Sequence, residues 1–500
     1  MVAFRGQRAM GVDTLRLARQ DESRHRRRSW LRVRIGVVTT SYPREPGDPA
    51  GGFVAGFARW LQRNGHLVEV IAAGPGAGID AGVATRVESA SGTGGVSHVE
   101  SAQGGGSDGP RCNGSAARVG GPIIVHRINA GAGLFYEEGA PDRLQRSILA
   151  WTRVPVFSAA MLAALNRHAG RWDAVVSHWL VPSGLATALL VTDDRPHLAI
   201  AHSSDVHLAV RLGIGGLIVD LLSHRGARIC FTGKHLLEEL RASIAKNHCV
   251  AGDADGADTC SARSDVTGET RLALLQHSSF VCPVGIDTAS FARLRRSAED
   301  TVVARKTLGL PETIPIVGYL GRLVPIKGVH VLLEAMTQLG TSSAVVAVAG
   351  DGPERPVLAR LAARPTLSTV FLGELRGAQK EAFLAAVDLL VVPSTNLAGG
   401  RTEGMPAVVL EALAAGVPLI ASAVGGIAEV TANAAILVPP GDPQALALAI
   451  RRLLDDDLAR AAMALAGRVA ATAFDWERVG PRLLAALIDH SFPTHVVSPR

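Results

Sequence analysis

The sequence predicts an α/β protein built from two doubly wound parallel-sheet domains. Three observations carry that expectation. Residues 33–71 read as strand, Pro/Gly loop, helix and strand, the order of a βαβ unit, whose crossover makes its two strands parallel. A second run of the same kind opens at Ile314. The chain has 500 residues, more than one domain usually holds, and its 47% hydrophobic content is enough for two cores.

Composition narrows the class before any motif is read. The net charge is +6, but much of the excess lies in the first 28 residues, around Arg24-His25-Arg26-Arg27-Arg28. The folded part is therefore close to neutral, and no nucleic-acid partner is expected. Residues 1–31 read as a basic disordered tail, either an over-long start or a peripheral contact with anionic membrane lipid. The five cysteines, Cys112, Cys230, Cys249, Cys260 and Cys282, contain no C-x-x-C pair. They imply neither a disulfide framework nor a zinc site. No apolar run reaches the roughly 18 residues that span a bilayer. The expected location is the cytoplasm, with the tail as a peripheral contact at the inner membrane face.

The first domain is expected over residues 32–287. Val33 to Thr40 form its first strand, and Pro43 to Gly52 the following loop. Phe53, Phe57, Trp60 and Leu61 recur at helical spacing, and Asn64-Gly65 stops that helix before the strand Leu67 to Ile71. Gly51 and Gly52 thus stand where the first strand hands over to its helix, the edge at which doubly wound sheets bind ligands. Residues 74–121 are rich in Gly, Ser and Ala and read as a loose low-complexity insertion; residues 247–271 read the same way. Strands are expected at Ile123 to His126, at Ala174 to His178 and at Leu198 to Ala201. The last runs into His202-Ser203-Ser204-Asp205, which puts His202 and Asp205 at the sheet's carboxyl edge, with His178 and Asp173 as weaker candidates. Residues 288–313 mix basic and acidic groups and read as the linker.

The second domain is expected over residues 314–473. An apolar strand from Ile314 runs into a loop carrying Arg322 and Lys327, two cations that together make an anion clamp. A strand ending at Pro393 leads to Glu403-Gly404-Met405-Pro406 and the apolar run Ala407 to Ala415, stopped by Gly416. Pro406 suits a first helical turn and Gly416 a helix end. Glu403 then precedes a helix N-terminus, which offers free N–H groups and a positive dipole end, and Glu411 lies about one and a half turns inside it. A carboxylate on a buried-leaning helix needs a hydrogen-bonding partner. The pocket so described suits a ligand anionic at one end and hydroxyl-rich at the other, as a nucleotide sugar is. Residues 474–500 read as an amphipathic helix and tail.

Two motifs carry a family resemblance. E-G-M-P-x-x-x-L-E-A, followed by G-V-P-L-I-A-S-x-V-G-G and the turn Gly425-Gly426-Ile427-Ala428-Glu429, resembles the retaining glycosyltransferases of family 4; so does G-R-L-x-x-x-K-G over Gly321 to Gly328. The likeness is good over 33–73 and 314–490 and patchy between. It implies the GT-B fold, two Rossmann-like domains facing a central cleft, with the last helix crossing back onto the first domain. By position, Glu403 would contact the transferred sugar, Glu411 would hold the ribose, and Arg322 and Lys327 would bind the diphosphate. Gly404 and Met405 would line the donor site with Gly52, while Gly51, Asp205 and His202 would lie on the acceptor side. The family often carries a histidine soon after the Gly-Gly pair; this chain has Phe53 there. The resemblance implies a retaining transfer from a UDP- or GDP-sugar to a hydroxyl on a glycan or glycolipid; no D-x-D cluster stands at a plausible site, and Arg322 and Lys327 can meet the leaving diphosphate's charge, so no metal ion or cofactor is expected. Three alternatives stand beside it: a non-catalytic nucleotide-sugar-binding subunit, an epimerase or phosphorylase of the same fold, and a dinucleotide-dependent oxidoreductase. The last is disfavoured because no G-x-G-x-x-G follows the first strand.

Overall fold

The computed structural model describes residues 32–74, 83–88, 121–135, 147–192, 194–249, 261–294, 296–340, 344–397 and 402–488. Two sheets form. The first contains β1 (Arg34–Thr39), β2 (Leu67–Ala73), β3 (Val83–Glu88), β4 (Ile123–Ile128), β5 (Ala174–His178), β6 (His197–Ala201), β7 (Arg228–Phe231) and β8 (Ser279–Val281), in the order β3-β4-β2-β1-β5-β6-β7-β8. Every pairing is parallel except that of the edge strand β3 with β4. The second contains β9 (Ile316–Leu320), β10 (Val345–Ala349), β11 (Thr369–Gly373), β12 (Leu389–Val392), β13 (Leu419–Ser422) and β14 (Ile436–Val438), in the order β11-β10-β9-β12-β13-β14, parallel throughout. Val, Ile, Leu and Ala crowd these strands because helices cover both faces and leave no wet side for polar residues.

The structure departs from the sequence reading in three places. The Gly/Ser/Ala-rich stretch 74–121 includes strand β3, whose pairing to β4 runs from Val83 opposite Ile128 to Glu88 opposite Ile123. The second expected insertion, 247–271, is entered by the helix Lys234–Cys249 and left by the helix Ser261–Ser278. The tail 1–31 and the rest of these insertions lie outside the described residues. Residues 288–313, expected as the linker, instead fold into helices Thr288–Ala292 and Ala298–Thr307. Ala304 and Leu310 are buried in the core under the second sheet, and Arg305 donates to the carbonyl of Ala386 and to Asp388.

The last helix, Trp476–Ile488, packs on the other sheet. Trp476, Val479, Leu483, Leu484 and Leu487 are buried in one cluster with Phe57, Trp60 and Val176. This accounts for Gly56, because a Cβ there would stand 2.4 Å from the Trp476 indole nitrogen. No single helix among the described residues is long and apolar enough to cross a membrane.

Candidate functional site

The carboxyl edges of the two sheets meet at the candidate site, and the charged residues on the second sheet's edge are paired. Lys327 Nζ lies 2.7 Å from Glu403 Oε2, with only 15% and 14% of the two side chains exposed. Ser394, just past β12, places its hydroxyl 3.4 Å from the same oxygen. One turn into the helix Ala407–Ala415, Glu411 accepts from Lys380 Nζ at 2.7 Å. Lys380 also sits 5.4 Å from the Phe291 ring centre, which holds the cation from its other side. Arg322 is exposed at the end of β9, and its carbonyl accepts the Tyr319 hydroxyl at 2.8 Å. Burial, reinforced by the Glu403 carboxylate, pushes the Tyr319 phenol far up, so it stays a neutral donor.

The loop carrying Glu403 rests on the glycine turn after β13. Gly426 N–H donates to the Gly404 carbonyl at 3.1 Å, and Gly425 has a φ of 50° that side-chain-bearing residues rarely adopt. Gly404 faces the first domain, close to Ser203. Met405 packs partly buried against the second domain's core.

Across the cleft, the carboxyl ends of β5 and β6 build an aromatic nest. His178 Nδ1 lies 3.2 Å from His202 Nε2. The rings of Phe53 and Trp179 approach His202 at 4.9 Å and 4.8 Å between centres. Trp179 carries a positive φ of 68°, a strained backbone that turns its ring into the nest. Burial pushes His202 well below its ordinary range, His178 doing the same in smaller part, so both rings are neutral. Phe53, the departure from the family pattern, is thus a wall of this nest.

Three expected residues take other roles. Asp205 is buried, and its two carboxylate oxygens accept from the backbone N–H of Leu180 at 2.5 Å and of His202 at 2.9 Å. It braces the start of the helix Ser203–Arg211. Burial lifts its carboxyl to about 7 against the pull of those amides. Asp173 precedes β5 at the opposite edge of the sheet and accepts from Arg34 N–H at 2.8 Å. Gly51 is buried with a φ of 66°, and a Cβ there would meet the Ser41 carbonyl at 2.2 Å, so it serves the turn. Gly52 is the one of the pair with open space before it, as the first residue of the helix Gly52–Arg63.

Among the described residues, one trio brings metal-ligating atoms within 4.8 Å of one another: Glu69, His126 and His168. It lies in the first domain's core, away from the cleft. Arg171 donates to His168 Nδ1 at 3.0 Å, which puts that ring's proton on Nε2, and Trp172 Nε1 donates to Glu69 at 3.1 Å. The donor set reads as a packed hydrogen-bonded cluster rather than an ion site.

Buried neutral histidines make stability depend on pH. Burial holds His178 and His197 at about 3, against an ordinary value of 6.5. Below 6.5 the unfolded chain takes up protons that the folded one refuses, so stability is lost as pH falls from 6.5 toward 3. Each ring contributes up to about 1.4 kcal/mol per pH unit over that window. Calorimetry is expected to show the melting temperature dropping steeply between about pH 6 and pH 4. His197→Gln, which keeps a partner for the Ser177 hydroxyl 2.8 Å away, is expected to flatten the drop; equal slopes would refute this account.

Residues 301–469 match the model of the family "Glycosyl transferases group 1". A D-inositol 3-phosphate glycosyltransferase of Salinispora arenicola is 30% identical, covering 66% of this chain and 71% of that one. A GDP-mannose-dependent monoacylated alpha-(1-6)-phosphatidylinositol monomannoside mannosyltransferase of Corynebacterium glutamicum is 37% identical, over 40% of this chain and 54% of that one. A putative teichuronic acid biosynthesis glycosyltransferase, TuaC of Bacillus subtilis, is 29% identical, over 59% and 64%. The match thus spans little more than half the length of the mannosyltransferase and under two thirds of TuaC. Among solved structures, Anabaena HepE in complex with UDP and glucose superposes with a TM-score of 0.58 at 18% identity, over 91% of this chain and all of that one. The catalytic domain of Arabidopsis thaliana starch synthase IV gives 0.56 at 16%, over 91% and 100%. At such identities the superpositions speak for the fold alone.

Proposed function

Because this chain belongs to the group 1 glycosyltransferases and has their two-domain GT-B fold, we propose that it moves a sugar from a nucleoside-diphosphate sugar to a hydroxyl group, with retention of the anomeric configuration. The observation that carries this reading is the Lys327–Glu403 pair, held at 2.7 Å at the head of a helix and on the cleft. It sets a carboxylate able to bind sugar hydroxyls beside a cation able to bind phosphate.

In this reading Arg322 and Lys327 hold the diphosphate and meet the charge that grows on it as the bond to the anomeric carbon breaks. Cations already placed there do this without a metal ion. The acceptor oxygen bonds the anomeric carbon on the face the diphosphate leaves, its proton passes to the departing phosphate oxygen, and the nucleoside diphosphate is released. Glu403 orients the sugar, and Glu411, freed from Lys380, takes the ribose hydroxyls. His202, neutral in its aromatic nest, offers a hydrogen bond on the acceptor side, and the Phe53 and Trp179 faces stack against sugar rings or apolar parts of the acceptor. The relatives named for lipid and cell-wall glycans favour a glycolipid or polysaccharide acceptor.

The test is nucleotide release from a panel of UDP-, GDP- and ADP-sugars with EDTA present. Slow hydrolysis of one donor supports metal-independent transfer and names the sugar. Release only with added divalent metal removes the metal-independent part. Tight nucleoside diphosphate binding without release from any donor favours a binding subunit instead.

A further inference from the structure

The first domain reaches the Glu403 loop in two ways, directly at Thr402 and, through Glu429, at the glycine turn on which that loop rests. The Thr402 carbonyl lies 3.3 Å from Ser203 Oγ and 3.2 Å from His207 Nε2. Its N–H lies 3.4 Å from that same ring nitrogen. The other nitrogen of His207 is 2.6 Å from Glu239 Oε1, and the ring is 9% exposed, so its orientation is set from behind. Glu429 lies three residues beyond the glycine turn that supports Glu403 and Gly404. Its carboxylate crosses the cleft to accept from the backbone N–H of Lys234 at 2.7 Å and of His235 at 2.9 Å, and from His235 Nδ1 at 2.8 Å. Those amides begin the helix Lys234–Cys249, where N–H groups lack helical partners and the dipole favours an anion. Burial pushes the Glu429 carboxyl up, but these bonds together outweigh it and hold the group below the ordinary carboxylate range. Each sheet has its own core, so neither grip is needed for the domains to fold.

We propose that His207, backed by Glu239, and Glu429 are positioning residues that fix Glu403 against the transferred sugar when the domains close. This rests on Glu403 being a sugar ligand, as proposed above. The cations proposed for the diphosphate, Arg322 and Lys327, lie on the second domain, whereas the Glu403 loop is touched by both domains. The donor's sugar is therefore gripped in the closed arrangement, where the acceptor side is also in place. A carboxylate displaced by about 1 Å from its productive position can cost roughly 100-fold in rate.

The experiment uses the full chain as wild type, His207→Ala, His207→Gln and Glu429→Gln. Calorimetric titration compares a free nucleoside diphosphate with the matching donor sugar, and steady-state kinetics follow nucleotide release. In His207→Ala and Glu429→Gln the affinity for the free nucleoside diphosphate is expected to be unchanged. The extra affinity conferred by the sugar should be lost, and kcat should fall about 100-fold. His207→Gln, whose side-chain amide offers both a donor and an acceptor to the Thr402 backbone, should recover part of kcat. A His207→Ala protein with wild-type kcat overturns the proposal. So does one that loses nucleoside diphosphate binding in the same proportion, which would mark a general packing role. A wild-type chain that binds no nucleoside diphosphate at all overturns the underlying reading, and the clamp with it.

Discussion

Lys327→Ala is expected to fold and to release nucleotide about 100- to 1,000-fold more slowly than wild type, the size of effect seen when one charge-stabilising group is removed from a preorganised site. The ammonium does two jobs. It neutralises Glu403, whose side chain is only 14% exposed, and in the proposed transfer it would meet the charge that develops on the diphosphate. Removing it leaves a largely buried carboxylate unpaired, which by itself repels an incoming phosphate. The two effects separate in the double variant Lys327→Ala/Glu403→Gln. Neutralising the carboxylate should restore melting temperature and part of the nucleoside diphosphate affinity, while turnover stays low because no cation returns. Lys327→Arg should recover less than charge alone predicts, since a planar fork does not replace a point charge at one oxygen. Calorimetric titration and initial rates check all three. Single-variant turnover within about tenfold of wild type would leave the diphosphate to Arg322 and remove Lys327 from the transition state.

Gly425→Ala should be more damaging than its size implies. At this position φ is 50° and a Cβ would stand 1.7 Å from the Glu403 carbonyl oxygen. A non-glycine residue in that region costs about 1–3 kcal/mol on its own, and the overlap forces the Glu403 backbone to move besides. The expected result is a melting temperature lower by several degrees and turnover reduced more than about 100-fold. Gly426→Ala is the internal control. Its Cβ would meet the Gly404 carbonyl at 3.1 Å with no positive φ to relieve, and a milder loss is expected. Thermal melts and kinetics on the pair decide it: equal effects would mean that the turn, rather than its contact with Glu403, is what matters.

Much of this site was legible along the chain because the informative residues are close in sequence. Glu403, Pro406, Glu411 and Gly416 fall within one loop and helix, and Arg322 and Lys327 lie on one loop, so spacing placed Glu403 ahead of a helix, Glu411 inside it and the two cations just after a strand. Strands were readable because buried parallel strands are apolar on both faces. What escaped was mostly non-local. Lys380 reaches Glu411 from another helix, and Glu429 finds its partners nearly two hundred residues upstream. No local pattern encodes either meeting. Asp205 shows a different limit: a polar residue four positions after a strand end suits a ligand contact and a brace on the next helix equally well. Only the two amides pointing at it decide the matter. Strand β3 hid in a stretch whose composition argues against a packed core, because an edge strand needs only backbone pairing to one neighbour.

The return of the last helix to the first sheet bears on how the protein is made. Trp476, Leu483 and Leu484 fill a core whose other members, such as Phe57 and Trp60, are synthesised more than four hundred residues earlier. A ribosome delivers the N-terminal half first, and domains generally fold as they emerge. Here the first domain cannot seal its interior until Trp476 and the helix it opens have left the exit tunnel. Until then Phe57 and Trp60 stand open beside Gly56, the groove that Trp476 will close. A nascent chain arrested before Trp476 would therefore expose that groove to chaperones, and the domain begun earliest is the one completed last.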